Sequence, residues 1–475
     1  MKKTFTLLLI AAASLVVQGK VYTLADLAGI EGSGVSVADG VYTLSLNTEL
    51  TEDVALDDGG IVASKSDLTL ADGNGLTINA GETLVFTGKA RISMNGPLVI
   101  TDATVTADEA STGSAMGFKL YGEQSNAVLN NVVMNYVGIN FGANGGEGNL
   151  VARNCSFDSF NSKLGSANVN ITSDCCGNVV DNCWFTNGQV ACIASAASVA
   201  VGIDITNNIM DKNGVSGRLT PAINMGLYGS YDIRIENNEV TGRAVVTRTG
   251  GIAVSHLLGA ASTGTVTVKG NTVTDNSYGI TLTGPGKIFI ENNVVKNNRY
   301  IANAQQGGSG INITANTGGA VAKIRGNQIE GNMWGITLIG PMTGSESTPL
   351  IEVDMGTNED PGLNTFKDNG NDGTNYSLEA GNLCDLYNNS GSNISAIGNT
   401  WNVADQNDAA AIEQVIVHQS DNGQYGKVDF GKVTGIDEVK TVTDSDGTYY
   451  DLLGRPVAHP AGGIYVRGGK KVIVR

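Results

Sequence analysis

The chain has little positive charge and few aromatic residues. Its 475 residues include 46 acidic and 29 basic side chains, which give a net charge of −17 at pH 7. Such an acidic protein would repel nucleic acid, and no basic stretch offsets the negative charge. Aromatic residues make up 6% of the chain, whereas glycine contributes 64 residues. The composition therefore excludes a nucleic-acid-binding function and predicts a chain rich in turns.

Long apolar segments are missing beyond the N-terminus. Met1-Lys2-Lys3 precedes an apolar run over residues 5–17. A positive start followed by an apolar run of this length is typical of a secretory signal peptide, and the run is too short to span a membrane. We expect residues 1–19 to be the signal peptide. The mature protein is then secreted or held at the outer cell surface, and it does not span a membrane.

Helical periodicity is missing too, and a repeat of about 22–37 residues takes its place. Each copy has an Asn or Cys followed two positions later by a large apolar residue, and most copies have an aliphatic residue three positions earlier. A short Gly-Ile-x-apolar strand follows in several copies, bounded by turn residues. The repeated positions are Asn131, Cys155, Cys183, Asn208, Asn238, Asn271, Asn293, Asn327, Asn364 and Asn399.

The repeated asparagines predict a buried hydrogen-bonded ladder. Parallel coils stack at ~4.8 Å, so equivalent residues form columns. Each amide can then bond to the next, whereas an unpaired buried amide would cost roughly 1–3 kcal/mol. The residue two positions before the ladder should face outward, and its charge alternates through Glu236, Lys269, Glu291 and Arg325. We expect these four charges to pair between coils and to control register rather than catalysis.

The Asn-Asn-x-Val and Gly-Ile-x-Leu elements resemble the coil repeat of right-handed parallel β-helix proteins of the pectate-lyase-like superfold. The resemblance covers roughly residues 120–400 and implies an all-β solenoid. We expect an N-terminal cap over residues 20–59, and a β-helix with a terminal lid and a short capping helix over 60–430. Residues 431–448 form the expected linker.

Residues 449–475 form a further small β module, because three short apolar runs are separated by glycines. This module resembles the C-terminal sorting domains of proteins secreted by Bacteroidetes-type bacteria. The resemblance implies export to the surface or the medium.

The six cysteines would permit disulfides in a secreted protein. Cys155 and Cys183 hold ladder positions on adjacent coils. Side chains stacked in parallel have the wrong Cβ direction for an easy disulfide. We therefore expect buried free thiols.

The motif sets of β-helix enzymes that cleave acidic polysaccharides are missing. No Gly-His-Gly element occurs, and the three histidines are scattered along the chain. The outward residues of the Gly-Ile strands form a polar face with almost no charge, which suits hydrogen bonds to sugar hydroxyls better than acid–base catalysis. These outward residues are Lys119, Asn140, Asn224, Ala253, Thr281, Asn312 and Thr337.

Three long loops, over residues 212–231, 241–258 and 296–309, carry the candidate site residues, since loops on a rigid scaffold are common functional sites. Arginine pairs with carboxylates and tyrosine stacks on sugar rings, so the loops suit an anionic glycan. The candidates for catalysis are Arg243, Arg248 and His256, and those for glycan binding are Arg218, Tyr228, Tyr231, Arg299 and Tyr300. No cofactor is expected, although Asp360, Asp368 and Asp372 could hold Ca²⁺ through oxygen ligands.

Three functions are consistent with these features. The first is a monomeric secreted β-helix protein that binds polysaccharide or a cell-surface glycan without catalysis. The second is a polysaccharide lyase or hydrolase that acts on uronate-containing glycans. The third is a surface adhesin or structural protein. The missing motif sets favour the first or the third function, and the loop arginines keep the second open.

Overall fold

The computed structural model describes most of the chain between residues 20 and 474. The described residues are 20–45, 61–63, 68–88, 90–108, 117–143, 148–160, 166–215, 220–246, 249–257, 262–371, 382–431, 448–451, 455–458, 460, 463–467 and 470–474. The predicted signal peptide and most of the predicted linker lie outside these residues.

Three long sheets wind around a common interior, and most coils add one strand to each sheet in the order A, B, C. The strands are parallel within each sheet except for two N-terminal hairpin pairs. This architecture confirms the predicted all-β class and the right-handed parallel β-helix.

The strands of sheet A are Tyr22–Thr23, Leu76–Ile78, Pro97–Thr101, Asn126–Asn130, Leu150–Arg153, Cys175–Asp181, Val201–Thr206, Ile233–Glu236, Thr265–Lys269, Gly286–Glu291, Ala320–Arg325, Glu352–Asp354, Ile394–Ser395 and Val428–Asp429. The strands of sheet B are Val35–Ala38, Val41–Leu44, Thr83–Phe86, Thr104–Ala107, Val133–Asn135, Ser156–Asp158, Trp184–Thr186, Ile209–Asp211, Glu239–Thr241, Thr272–Thr274, Val294–Lys296, Gln328–Glu330 and Thr365–Lys367. The strands of sheet C are Ile61–Ala63, Leu68–Leu70, Arg91–Met94, Gly117–Tyr121, Gly138–Gly142, Ala167–Ile171, Ala191–Ser195, Ile223–Gly226, Ile252–Ser255, Ile280–Thr283, Ser309–Thr314, Trp334–Ile339, Leu386–Asn389 and Ile416–Val417.

Inward side chains of all three sheets stack into one continuous apolar core. Strands such as Leu76–Ile78 alternate buried and half-buried residues, which is the period-2 pattern of a strand with one face inside. Aromatic residues stack between coils at sheet B, as Phe157 does on Phe185 with ring centroids 4.7 Å apart. Columns of equivalent residues therefore form the core, as the repeat predicts.

The predicted asparagine ladder is present from Asn208 to Asn399 at the corner between sheets A and B. Asn271 is typical, because its Nδ2 donates to Asn293 Oδ1 at 2.9 Å and its backbone N–H donates to the same oxygen at 2.9 Å. The same pair of bonds links Asn293 to Asn327. Every copy is nearly or fully excluded from solvent along this run up to Asn364. The ladder therefore satisfies the polar groups of a corner that faces the core.

Asn131 was wrongly included in the ladder. It is exposed with φ 54°, and its Nδ2 donates to Asp102 Oδ1 at 2.6 Å. The buried ladder position in this coil is Val132, and Val133 is 41% exposed. The assignment from the sequence is therefore shifted by one residue in this coil. Such a shift exchanges the two faces of a strand, so an outward residue is taken for an inward one.

The four charges expected to pair between coils do so only once. Lys269 Nζ lies 3.4 Å from Glu291, as predicted. Glu236 instead pairs with Arg234 of its own strand at 3.2 Å. Arg325 is almost fully buried and pairs with acidic residues of later coils. The alternating sign of the charges along the sequence therefore does not by itself determine which residues form ion pairs.

A second ladder, which was not predicted from the sequence, runs along the corner between sheets B and C. Its four asparagines stand five residues after asparagines of the first ladder, and side-chain amides link its members through bonds of 3.0–3.3 Å. The members in order are Asn276, Asn298, Asn332, Asn369 and Asp385. The buried carboxyl group of Asp385 therefore accepts the last hydrogen bond of this second ladder.

Both ends of the solenoid are covered. At the N-terminus, the helix Leu24–Ala28 begins with a capping box between Thr23 and Asp26. At the other end, the helix Ala409–Glu413 is capped by Asp408, as the sequence predicts. The lid strands that follow add to sheets C and A.

Smaller elements complete the described structure. A 3₁₀ helix, Ala304–Gln306, precedes one strand of sheet C, and Gly370–Asn371 pairs antiparallel with Asn382–Leu383. The C-terminal module is an antiparallel sheet with four strands rather than the expected three. These strands are Tyr449–Tyr450, Pro456–Val457, Gly463–Arg467 and Lys470–Val474. A sorting role for this module stays a prediction.

All six cysteines are free thiols, and Cys176 is the only exposed one. Burial raises the pKa of Cys175 to about 11 and raises the pKa of Cys192 as well. Since the thiolate is the reactive form, these buried thiols should react slowly.

We expect iodoacetamide at pH 8 to modify Cys176 alone in the native protein and all six cysteines after unfolding. Mass spectrometry of the intact and the digested protein would count and locate the labels. Rapid native labelling of a second cysteine would contradict the described burial.

Candidate functional site

The described residues among those predicted for a cationic glycan site lie along two different edges of sheet C. Arg243, Arg299 and Tyr300 stand in connections from sheet B to sheet C. Tyr228, Tyr231 and His256 stand in connections from sheet C to sheet A. The sheet C strands that separate these two edges are about 13 Å long for four residues. Arg218 and Arg248 lie outside the described residues.

Arg299 is a buried structural residue. Its guanidinium donates to the backbone oxygen of Gly331 at 3.0 Å and to that of Gly370 at 3.1 Å. Burial lowers the pKa of this side chain. Arg299 therefore links its own coil to the next two coils through hydrogen bonds. Because this residue is only 2% exposed, it is not available for direct contact with a glycan.

The other candidates near these edges differ in exposure. Arg243 and Tyr231 are exposed, whereas Tyr228, His256 and Tyr300 are partly buried. The pKa of Tyr231 is raised by the neighbouring Cys176. The described candidates are therefore divided between two edges of sheet C, and they differ in their exposure to solvent.

The two described aspartates among the calcium candidates, Asp360 and Asp368, lie beside lysine or arginine side chains. Asp360 lies 2.7 Å from Lys323 and 3.2 Å from Arg325, and these cations lower its pKa. Asp368 is exposed beside Lys367, and Asp372 lies outside the described residues. Within the described part of the chain, no group of three acidic, histidine or cysteine side chains is arranged to hold a metal ion.

A groove of about 620 Å³ opens on the outer surface of sheet C. Its floor is built from the outward residues of four consecutive strands, Ile280–Thr283, Ser309–Thr314, Trp334–Ile339 and Leu386–Asn389. The 3₁₀ helix contributes to one wall. The groove is lined by Tyr278, Thr281, Ala304, Gln306, Gly307, Ser309, Asn312, Thr314, Trp334, Thr337, Ile339, Tyr387 and Asn389.

Strand register arranges the polar floor in columns. Thr281 pairs with Asn312, Asn312 with Thr337, and Thr337 with Tyr387. Successive members are therefore one strand spacing apart, ~4.8 Å. The hydroxyls of Ser309 and Thr337 are hydrogen-bonded to each other. The floor thus offers hydroxyl and amide groups at a regular interval.

Two aromatic side chains form one end of the groove. The rings of Trp334 and Tyr387 have centroids 5.6 Å apart and planes tilted by 31°. Trp334 Nε1 donates to the backbone oxygen of Ala304 at 2.9 Å, which orients the indole. The hydroxyl of Tyr387 lies 3.1 Å from that of Tyr425, which the terminal lid supplies. The lid therefore supports the aromatic end of the groove.

The lining residues are chemically neutral. None of the thirteen carries an ionisable carboxyl, imidazole, ammonium or guanidinium group. Burial raises the pKa of Tyr278 to about 12 and raises that of Tyr387. A general base works best with a pKa near the operating pH, so these phenols are poor bases at neutral pH. The lining can form hydrogen bonds and stack on a ligand, and it offers no acid–base pair.

The sequence anticipated the floor of this groove but not its aromatic end. Thr281, Asn312 and Thr337 belong to the predicted uncharged face. Trp334 was missed because it directly precedes Gly335-Ile336, where a turn was expected. Tyr387 lies in a strand without the Gly-Ile signature, so no repeat marked it.

No protein-family model matches the sequence, and no curated protein sequence matches it. Solved structures with similarity include a variant of the periplasmic alginate epimerase AlgG, at 14% identity and a TM-score of 0.48, over 87% of this chain and 83% of that one. The A-module of the mannuronan C-5 epimerase AlgE4 of Azotobacter vinelandii has 15% identity and a TM-score of 0.44, over 82% of this chain and 88% of that one. Tailspike protein 3 of bacteriophage CBA120 has 12% identity and a TM-score of 0.36, over 94% of this chain and 67% of that one. The strand pairing of this chain itself establishes the fold.

Proposed function

We propose that this protein binds polysaccharide in the sheet C groove and does not transform it. The observation that carries the proposal is the aromatic pair Trp334–Tyr387 beside a floor of hydroxyl and amide groups. Sugar rings combine apolar C–H faces with hydroxyl edges. An aromatic surface next to regularly spaced polar groups can contact both parts.

The size and rigidity of the groove also support binding. Small-ligand sites commonly measure about 300–1,000 Å³ and combine aromatic walls with a few polar groups. The groove falls in this range at about 620 Å³. The floor residues stand on strands that are paired on both sides, so they hold their positions before a ligand arrives.

The proposal also includes a location for the protein, outside the cell or at its surface. The N-terminal apolar run indicates export, and the expected partner is a polysaccharide or a cell-surface glycan. Within the described residues, no helix is both long and apolar enough to cross a membrane.

Trp334→Ala should weaken binding of a glycan ligand at least about tenfold, because a stacked indole in a groove is the type of residue that dominates binding energy. A glycan array would identify a ligand, and isothermal titration calorimetry would measure both affinities. Trp184→Ala is the matched control, since Trp184 is 54% exposed on sheet B, away from the groove. Equal loss of affinity in both variants would contradict the assigned site.

Enzymatic activity and protein binding are the competing outcomes. A panel of uronate polysaccharides, incubated with and without Ca²⁺, would reveal lyase activity as unsaturated product. Product formation that is abolished by Arg243→Ala or His256→Ala would overturn the non-catalytic function. Binding to proteins but to no glycan would instead indicate an adhesin.

A further inference from the structure

Resting on the proposed function, we infer that the groove selects an uncharged hexopyranose chain and discriminates against uronate chains. The substrate class then differs from the anionic glycan that the loop arginines led us to expect. Three structural observations support the selectivity.

The first observation is the lining itself. All thirteen lining residues are uncharged at neutral pH, and burial moves the pKa of Tyr278 and of Tyr387 even further above neutral pH than that of an ordinary tyrosine. A uronate carboxylate that entered the groove would lose part of its hydration without gaining a cationic partner. Burial of an unpaired charge is far more costly than burial of a hydroxyl.

The second observation is the placement of the nearby cation. Arg299 belongs to the connection that leads into the strand Ser309–Thr314 of the groove floor. Its guanidinium is committed to the carbonyl oxygens of Gly331 and Gly370 and lies buried. A uronate in the groove therefore gains no ion pair from Arg299.

The third observation is the charge of the whole chain. The net charge of −17 repels a polyanion at long range, most strongly at low ionic strength. A neutral chain experiences no such repulsion. Its hydroxymethyl group can both donate and accept hydrogen bonds, as can the floor side chains Thr281, Asn312 and Thr337.

Pairs of oligosaccharides that differ only at C6 would test this selectivity. Suitable pairs are β-1,4-mannan and β-1,4-mannuronan hexamers, β-1,4-glucan and β-1,4-glucuronan hexamers, and α-1,4-galactan and α-1,4-galacturonan hexamers. We expect the neutral member of at least one pair to bind at least about tenfold more tightly than the acidic member. Its affinity should stay constant between about 20 and about 300 mM NaCl.

A gain-of-function variant separates selectivity from loss of folding. Thr281 is a half-buried outward residue on the groove floor, so a lysine there would supply the missing cation. Thr281→Lys should raise the affinity for the acidic member of the bound pair about tenfold, and this gain should decline with added salt. Thr43→Lys, an outward position on sheet B, is the control and should leave both affinities unchanged.

The outcomes distinguish this inference from the function on which it rests. Tighter binding of the acidic member, lost in Trp334→Ala, would overturn the selectivity and leave glycan binding in place. Binding of neither member of any pair, and of no glycan on the array, would overturn both. Failure of Thr281→Lys to raise the affinity for the acidic member would also count against a selectivity based on charge.

Discussion

Asn293→Ala should lower the free energy of unfolding by at least about 3 kcal/mol, because it interrupts the first ladder in its middle. Asn293 is fully buried. Its Oδ1 accepts from the backbone N–H and the Nδ2 of Asn271, both at 2.9 Å. Its own Nδ2 donates to the backbone oxygen of Val268 and to Asn327 Oδ1, also at 2.9 Å. Alanine would leave polar groups on both neighbouring coils without these partners, far from water.

Equilibrium unfolding in guanidinium chloride would measure the loss. Asn130→Ala is the matched control, since Asn130 is an exposed asparagine whose Oδ1 accepts a single bond of 3.2 Å from Asn154. The control should change the free energy of unfolding by less than about 0.5 kcal/mol. Similar effects of the two variants would mean that the buried ladder contributes no more than a surface hydrogen bond.

Asp385 should make the folded protein lose stability as the pH rises from about 4 to about 7. Burial raises the pKa of this carboxyl from 3.8 to about 7, against the effect of the bonds donated by Asn402 N at 2.7 Å and Asn369 Nδ2 at 3.3 Å. Between these values, the folded protein keeps a proton that the unfolded chain has released. The associated stabilisation is complete below about pH 4 and is lost as the pH approaches 7. Its upper limit is about 4 kcal/mol.

Asp385→Asn would isolate this effect, because asparagine does not titrate. The difference in unfolding free energy between the original protein and Asp385→Asn should change by up to about 4 kcal/mol between about pH 4 and about pH 7, in the direction that favours the variant at higher pH. Glu359→Gln is the control, since Glu359 is exposed. A constant difference across this range would contradict a raised pKa at Asp385.

The repeat was predictable because several independent features of the sequence agreed with it. The fixed offset between Asn and apolar residues identified the coil, and the ladder from Asn208 to Asn399 follows from that offset. The failure at Asn131 has a physical reason, since the left-handed corner residue before the ladder is also commonly asparagine, as at Asn154 and Asn182. Where the ladder position itself is apolar, as at Val132, the corner asparagine is easily mistaken for it.

The second ladder and the groove were harder to predict from sequence. The second ladder could have been found from asparagines five residues after the first, such as Asn276 and Asn298. The groove depends on which strands of sheet C become neighbours, and that depends on the lengths of the intervening loops. Arginines in long loops indicated a cationic site, but the sequence does not show that Arg299 turns inward toward carbonyl oxygens.

The second ladder has a consequence for how a ligand binds. Its members Asn276, Asn298, Asn332 and Asp385 precede the four sheet C strands that form the groove floor. Both corners of these coils that face sheet B are therefore hydrogen-bonded from coil to coil, so the distance between floor residues is set before binding. A ligand then orders few protein groups, and little conformational entropy is lost on association. Recognition in this groove should resemble adsorption onto a preformed crystal surface, where the spacing of the ligand must match a spacing that the protein does not adjust.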